Sequence, residues 1–270
     1  MAGESDVVGG VTAVADEPLL GTQTISRALR VLGILRQSPS DLGVTELART
    51  LSLNTSTTHR IVRALVAAGY VVQSDQTERY RLGREAYLLG RAAERSLGFD
   101  SVAPVLERLS DESGESSNLV VRDGDHGLVV LRVESKHPLR FIQPVGTRIP
   151  LHCTSSGKVF LAFAPDITAE VAGLGELRPL TPITITSGKA LLRDLEETRA
   201  RGYAINLGER LEGVRGVAAP AFDAQGTVMA VVAVQGPEMR VRDDRLDDLG
   251  RLVVSTAKEV AALLPGGYRI

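Results

Sequence analysis

The run VTELARTLSLNTSTTHRIVRALVAAGYV, residues 44–71, decides the fold of the first third of the chain. In ELARTL, Leu47, Ala48 and Leu51 fall on one helical face, and Thr45 is placed to cap that short helix. Ser52 and Leu53 make a tight turn. Asn54 is placed to cap a second helix, TSTTHRIVRALVAA, which stops at Gly69, the residue type favoured in the left-handed position after a helix. Two helices joined this way make a helix-turn-helix. YVVQSD and ERYRLG then read as two short strands around Gln76 and Thr77, completing a winged helix over residues 22–83. Ahead of it, Ile25, Ala28, Leu29, Leu32 and Leu35 predict a first helix that ends at SPSDLG.

The second helix of the pair must divide its faces. Thr58, Ile61, Val62 and Leu65 recur at i, i+3, i+4 and i+7 and are expected inward, although Thr58 is smaller and more polar than such a position usually holds. Ser56, Thr57, His59, Arg60 and Arg63 then face outward, with Thr55 at the N-terminal tip. Hydroxyls at a helix N-terminus suit phosphate or base-edge contacts, and arginines supply bidentate donors. Arg60 is the first choice for a base contact, with Ser56 and Thr57 nearer the phosphates. Arg27, Arg79 and Arg81 are candidates for contacts to the DNA backbone. An ordinary capped helix also has a polar exterior; the preceding turn and following hairpin favour DNA.

Charge supports the same division. Residues 22–97 hold eleven Arg, no Lys and six acidic residues, a net +5, while the rest of the chain holds 20 basic and 27 acidic groups, a net −7. A basic head before an acidic body suits a polyanion-binding domain joined to something else. The N-terminal residues 1–21 lack periodicity and read as a disordered tail. With neither a signal-peptide pattern nor a long apolar run, a cytoplasmic protein without membrane partners is expected. The single cysteine, Cys153, excludes an intrachain disulfide and a thiolate cage, and the four histidines lack metal-ligand spacing, so neither metal nor cofactor is expected.

REAYLLGRAAERSLG, residues 84–98, reads as a linker helix whose Tyr87, Leu88, Leu89 and Ala92 suit either packing on the first domain or pairing two subunits. Beyond it, residues 99–268 alternate strands and helices. Expected strands are 116–123, 127–134, 139–145, 203–208, 214–223 and 227–236; expected helices lie near 154–164, 167–174, 190–201 and 243–264. DGDHG and DAQG are hairpin turns, so the domain is α+β with a largely antiparallel sheet.

Ser155-Ser156-Gly157-Lys158 matches S-x-x-K, which raises an alternative: a serine-dependent amide or ester hydrolase using Ser155 and Lys158. Its S-D-N and K-T-G companions are missing, and a phosphate loop would need Gly where His152 stands. Cys153 is expected to be a small buried residue. The segment has a non-catalytic use, since the amides at a helix start attract a carboxylate or phosphate, with Thr154, Ser155 and Ser156 adding hydroxyls.

TISRALRVLGIL, VTELARTLSLNTSTTHRIVRALVAAGYV and RYRLG resemble the winged-helix half of the isocitrate lyase regulator (IclR) family. VVLRVESKHPLRFIQPVGTRIPLHCTSSGKVFLA, TITS, RARGYAINLGE, GVRGVAAPAFDAQG and VAVQGP resemble its second half in the same order, so the likeness covers about 21–268. It implies a ligand-responsive transcription regulator, repressor favoured over activator. An N-terminal winged helix would bind a double-stranded inverted-repeat operator, and a GAF-like C-terminal domain would bind a small-molecule effector. It implies dimers formed through the DNA-binding halves, often paired into tetramers. Matching motifs carry the family's ligand cavity onto Ser155, Ser156, Asn206, Gly216, Ala233 and Gln235, with Asn118 as an addition. Several members carry an acidic residue at the place of Asn206, Cys at Gly216, and Ser at Ala233 and Gln235. A less acidic cavity with a smaller wall at Gly216 is therefore expected, suited to an aromatic or other carboxylic acid rather than the small keto acids of some relatives.

Overall fold

The computed structural model describes residues 22–266. The segment 1–21, expected to be a tail, and residues 267–268 of the second domain lie outside the described residues. The chain divides into two units, one through Ala92 and one from Ala93, a boundary inside the linker helix.

The first unit holds α1 (Gln23–Gln37), α2 (Val44–Leu51), α3 (Thr55–Ala67), β1 (Val71–Gln73), β2 (Tyr80–Leu82) and the start of α4 (Arg84–Ser96). Asn54 caps α3, its Oδ1 accepting the Thr57 N–H at 2.7 Å. The other end closes as expected at Gly69, whose φ is +77°. The Tyr70 N–H reaches the Leu65 carbonyl and the Gly69 N–H that of Val66, both at 3.0 Å, satisfying carbonyls that the helix leaves open. Thr58 fits the core because its hydroxyl donates to the Asn54 carbonyl at 3.1 Å, one turn back. It joins Val31, Leu35, Leu47, Leu51, Ile61, Val62, Val71 and Tyr80 in the buried interior.

Two local expectations need correction. Gly43, not Thr45, occupies the N-cap of α2; Glu46 reaches back to accept the Gly43 N–H at 2.7 Å, which moves the helix start upstream. Ile25 and Leu29 are 63% and 62% exposed, and the inward stripe of α1 is Ala28, Val31, Leu32 and Leu35. Ile25 and Leu29 lie on an adjacent stripe that the first unit leaves uncovered.

The second unit runs α5 (Phe99–Ser113), β3 (Ser116–Asp123), β4 (His126–Val133), β5 (Arg148–Pro150), α6 (Ser155–Ala162), α7 (Ile167–Gly173), α8 (Gly188–Arg201), β6 (Ala204–Asn206), β7 (Val214–Phe222), β8 (Val228–Pro237), a 3-10 turn at Asp243–Arg245 and α9 (Leu246–Leu263). Its six strands form one antiparallel sheet in the order β5-β4-β3-β8-β7-β6. The period-two alternation of the strands sorts their side chains between two cores. Leu119, Val121, Val217, Ala219, Val232 and Val234 pack with α5 and α9. Val120, Val129, Ala218, Val231 and Ala233 pack with α6 and α8. This is the expected α+β architecture.

The stretch 139–145, expected to be a strand, is instead a loop, and the short β5 follows it at 148–150. Pro138 and Pro144 remove N–H donors that a sheet ladder would use. The loop is tied down differently: the Ser116 hydroxyl donates to the Phe141 carbonyl at 2.8 Å, and the Gly146 N–H donates to the Val129 carbonyl at 2.8 Å.

Candidate functional site

On α3, Thr55, Ser56, His59, Arg60 and Arg63 are exposed and Thr57 is half-buried. The Ser56 hydroxyl donates to the capping Asn54 Oδ1 at 3.0 Å, so this polar tip is a connected group rather than loose side chains. Arg81 is exposed on the wing and Arg27 is half-buried on α1. Arg79 is occupied elsewhere: its guanidinium donates to the Asp41 carbonyl at 2.8 Å and to Glu46 Oε2 at 2.6 Å. The Gly43 N–H and the Arg79 guanidinium together hold the Glu46 carboxyl below its ordinary pKa. Arg79 thus braces the wing against α2. Tyr87, Leu88 and Leu89 of α4 are all more than half exposed, so the first unit does not cover them.

In the second unit the sheet register gathers the carried-over residues on one face. Asn206, Gly216, Gln235 and Ser116 form one row across β6, β7, β8 and β3. Ala204, Ala218, Ala233, Asn118 and Arg132 form the next. The N-terminus of α6 lies over the first row. Thr154 caps it, its hydroxyl accepting the Gly157 N–H at 3.0 Å. A Cβ on Gly216 would stand 3.3 Å from Ser155 Oγ and 2.9 Å from Gln235 Cγ, so only a bare glycine lets the helix start and Gln235 come this close to the strand. Phe141, Thr154, Ser155, Asn206, Arg210 and Gln235 are among the residues lining the cleft between helix and sheet, which is narrow, with about 20 Å³ of room, enough for a water.

The polar groups here divide into occupied and unoccupied. Asn206, expected to meet a ligand, is occupied: its Nδ2 donates to the Cys153 carbonyl at 2.6 Å and its Oδ1 accepts the Gly208 N–H at 2.8 Å. It shapes the loop after β6. The hydroxyls of Ser155 and Ser156, both amide atoms of Asn118 and Arg215 Nε are buried with no hydrogen-bond partner among the described residues. Each such group costs about 1–3 kcal/mol if nothing satisfies it. Arg210 is half-buried in the cleft wall, and burial pulls its guanidinium pKa below the usual value. No hydrogen bond or ion pair to a protein group is formed by it among the described residues. Arg215 also lines the cleft while its Nη1 pairs with Asp243 at 2.6 Å. Neither arginine was singled out in the sequence: Arg210 falls between the expected strands 203–208 and 214–223, and Arg215 lies in the second with nothing to mark it; only the fold turns them toward the cleft.

Lys158 lies fully buried one turn after Ser155. Its Nζ donates to Glu209 Oε1 at 2.5 Å and to the Ile205 carbonyl at 3.1 Å, and Asp194 Oδ2 lies 3.1 Å away as an ion-pair contact with poor hydrogen-bond angles. Its contacts are made to Glu209, Ile205 and Asp194, and none is made to Ser155. Cys153 is buried, and burial pushes its thiol up to about 11, against the opposing pull of Arg210, so it is not a thiolate nucleophile. Among the described residues no group of His, Cys, Asp and Glu is placed to hold a metal, and no helix is long and apolar enough to cross a membrane.

Residues 24–75 match the family model described as the IclR helix-turn-helix domain, and residues 97–262 match that of the bacterial transcriptional regulator IclR C-terminal domain. The chain belongs to the IclR family. The transcriptional repressor IclR of Escherichia coli K12 is 33% identical over 266 residues, covering 97% of each chain. The crystal structure of RHA06195 from Rhodococcus sp. RHA1 is 30% identical with a TM-score of 0.79, covering 90% of this chain and 98% of that one. An IclR homolog from Microbacterium hydrocarbonoxydans, complexed with 4-hydroxybenzoate, shares the fold at a TM-score of 0.79 and 23% identity, over 89% of this chain and 98% of that one. The architecture is thus that of an IclR transcriptional regulator, with a helix-turn-helix DNA-binding domain and a GAF-like effector-binding domain.

Proposed function

We propose that this regulator binds an inverted-repeat operator as a dimer and represses until a small organic anion occupies the cleft beneath α6. The exposed tip and outer face of α3 carry the DNA half of this reading. Arg60 reads a base edge, Ser56 and Thr57 approach phosphates with Thr55, His59 and Arg63 beside them, and Arg27 and Arg81 contact the backbone. Arg79 serves by holding the wing. Pairing is supported by two uncovered apolar stripes in the first unit, Ile25 with Leu29 on α1 and Tyr87 with Leu88 on α4. A dimer sets half-sites one helical turn apart, ~34 Å, or a multiple of it. Tetramers would pair two such dimers.

The effector half rests on Arg210, a partly desolvated guanidinium with no protein anion, beside the unpartnered Ser155 hydroxyl. A carboxylate placed between them, under the α6 N-terminus, satisfies all three. The 4-hydroxybenzoate bound by the Microbacterium relative fits that class. The relatives are regulators rather than enzymes, and the occupied Lys158 argues the same way, so no catalysis is assigned. A DNA target implies a cytoplasmic regulator.

Mobility shift and footprinting on the chain's own upstream region, with and without a panel of carboxylic acids, test this. Protection of two symmetric half-sites, released by an acid, is expected. Equal affinity for an isolated half-site, or no binding at all, rejects it.

A further inference from the structure

Asn118 and Gln143 are 1% and 2% exposed, and all four of their amide atoms lack hydrogen-bond partners among the described residues. Ser155 and Ser156, 1% and 0% exposed, add two more such atoms. The sheet and the 134–147 loop run the Asn118 and Gln143 backbones close to one another. Asn118 projects from β3 on the α6 face, in the row beside Ser116 and Gln235. The loop is pinned at Phe141 over Ser116 and at Gly146 beside Val129, whose partner on β3 is Val120. Gln143 lies between those two pins, as Asn118 lies between Ser116 and Val120. The Gln143 backbone is thereby carried past the Asn118 row.

We infer that the effector, on the reading of the cleft as its site, is an acid that also bears an uncharged carbamoyl or ureido group, recognised by Asn118 and Gln143. The chemistry follows from what each side-chain amide offers. One amide presents a carbonyl acceptor and an NH₂ donor, and both atoms are unpartnered here, so the conclusion is independent of which way either amide is turned. A carbamoyl group carries the same two functions and can meet the acceptor and the donor of each. A second carboxylate cannot, because it has no hydrogen for Asn118 Oδ1 or Gln143 Oε1. A methyl or bare ring edge leaves all four atoms unsatisfied. The anionic end stays with Arg210 and the Ser155 hydroxyl, which line the cleft; the carbamoyl end reaches past Gln235 toward the next row of the sheet, where Asn118 pairs with Ala233. Selectivity of this kind is strong, since a site built to hydrogen-bond a polar group rejects the analogue that lacks it.

Calorimetric titration of the full-length regulator with matched acids tests the assignment. One set is succinamate, succinate and butyrate; the other is 4-carbamoylbenzoate, terephthalate and 4-methylbenzoate. In at least one set the carbamoyl acid is expected to bind tenfold or more tightly than both analogues. Asn118→Leu and Gln143→Leu should each cut that preference to threefold or less while leaving the methyl analogue's affinity unchanged. Gln143→Leu lies in a loop and guards against a folding defect in Asn118→Leu; both variants should melt no lower than the wild type, because each removes unsatisfied polar atoms. Arg210→Met should abolish binding of every acid. If terephthalate, succinate or the methyl acids bind as tightly as the carbamoyl acids and still need Arg210, the inner amides hold only water: the carbamoyl assignment falls and the anion site stands. If no acid binds, or Arg210→Met changes nothing, the anion site itself is rejected and the carbamoyl assignment with it.

Discussion

Lys158 Nζ stands 2.5 Å from Glu209 Oε1, tying α6 to the residue immediately before Arg210. The helix that presents Ser155 and the loop that presents Arg210 are therefore held by one buried ion pair, with Asp194 alongside. Removing one partner of such a pair is costly because the other charge stays buried. Lys158→Met should destabilise the second unit by about 3–5 kcal/mol in urea unfolding. Lys158→Met combined with Glu209→Leu should be less destabilised than the sum of the single changes. Additivity would mean that the pair does not couple helix and loop.

Gly216 tests the cleft's geometry. A Cβ there would meet Gln235 Cγ and the Val234 carbonyl at 2.9 Å, and the carbonyl belongs to a sheet strand that cannot easily yield. Gly216→Ala should cost about 1–3 kcal/mol of stability, as overpacking does, and weaken acid binding. Unchanged melting and affinity would show that the sheet and helix separate more freely at this point.

Arg210 carries a stability cost that its removal should reveal. Arg210→Met deletes a desolvated cation without a protein partner, so the unliganded protein should melt at a higher temperature while losing its response to acids. A lower melting temperature would mean that the guanidinium has a structural role.

The α3 arginines and the wing should separate by specificity. Arg60→Ala should lose about 1–3 kcal/mol on the operator and discriminate less at one base position. Arg81→Ala should weaken binding to all sequences alike and reduce the salt slope by about 1. Competition binding at several salt concentrations distinguishes the two.

Acid should release the brace between Glu46 and Arg79. The folded-state pKa of Glu46 lies below its ordinary 4.5, so its contribution is complete above that value and is lost as pH falls through the folded pKa. Glu46→Gln should melt below the wild type at pH 7, and the gap should narrow as pH drops below 4.5. A gap independent of pH would assign the effect to packing.

The helix-turn-helix was legible because its signals are local: Asn54 and Gly69 act through bonds to residues within five positions of themselves. Strand alternation likewise put Ala233 and Gln235 on one face of their strand, whereas Asn118 joins that face only through the register of β3 with β8. What stayed hidden depends on distant partners. Whether Asn206 is free or occupied turns on the Cys153 carbonyl, 53 residues away. Arg79 looks like any wing arginine until Glu46, 33 residues earlier, is seen beside it. Gln143 was read inside a strand, where alternation alone would have assigned its face; its burial comes from a loop pinned by Ser116.

All eight residues of α6 are buried, an unusual condition for so short a helix, and Gly157 lets it rest directly on the Leu151 backbone. Such a helix offers no position at which novelty is cheap. Anyone retargeting this sensor to a different metabolite should therefore leave α6 untouched and randomise Phe141, Gln143, Leu211 and Arg210, which hang from loops around it. Variation there changes what is sensed without unseating the part that does the sensing.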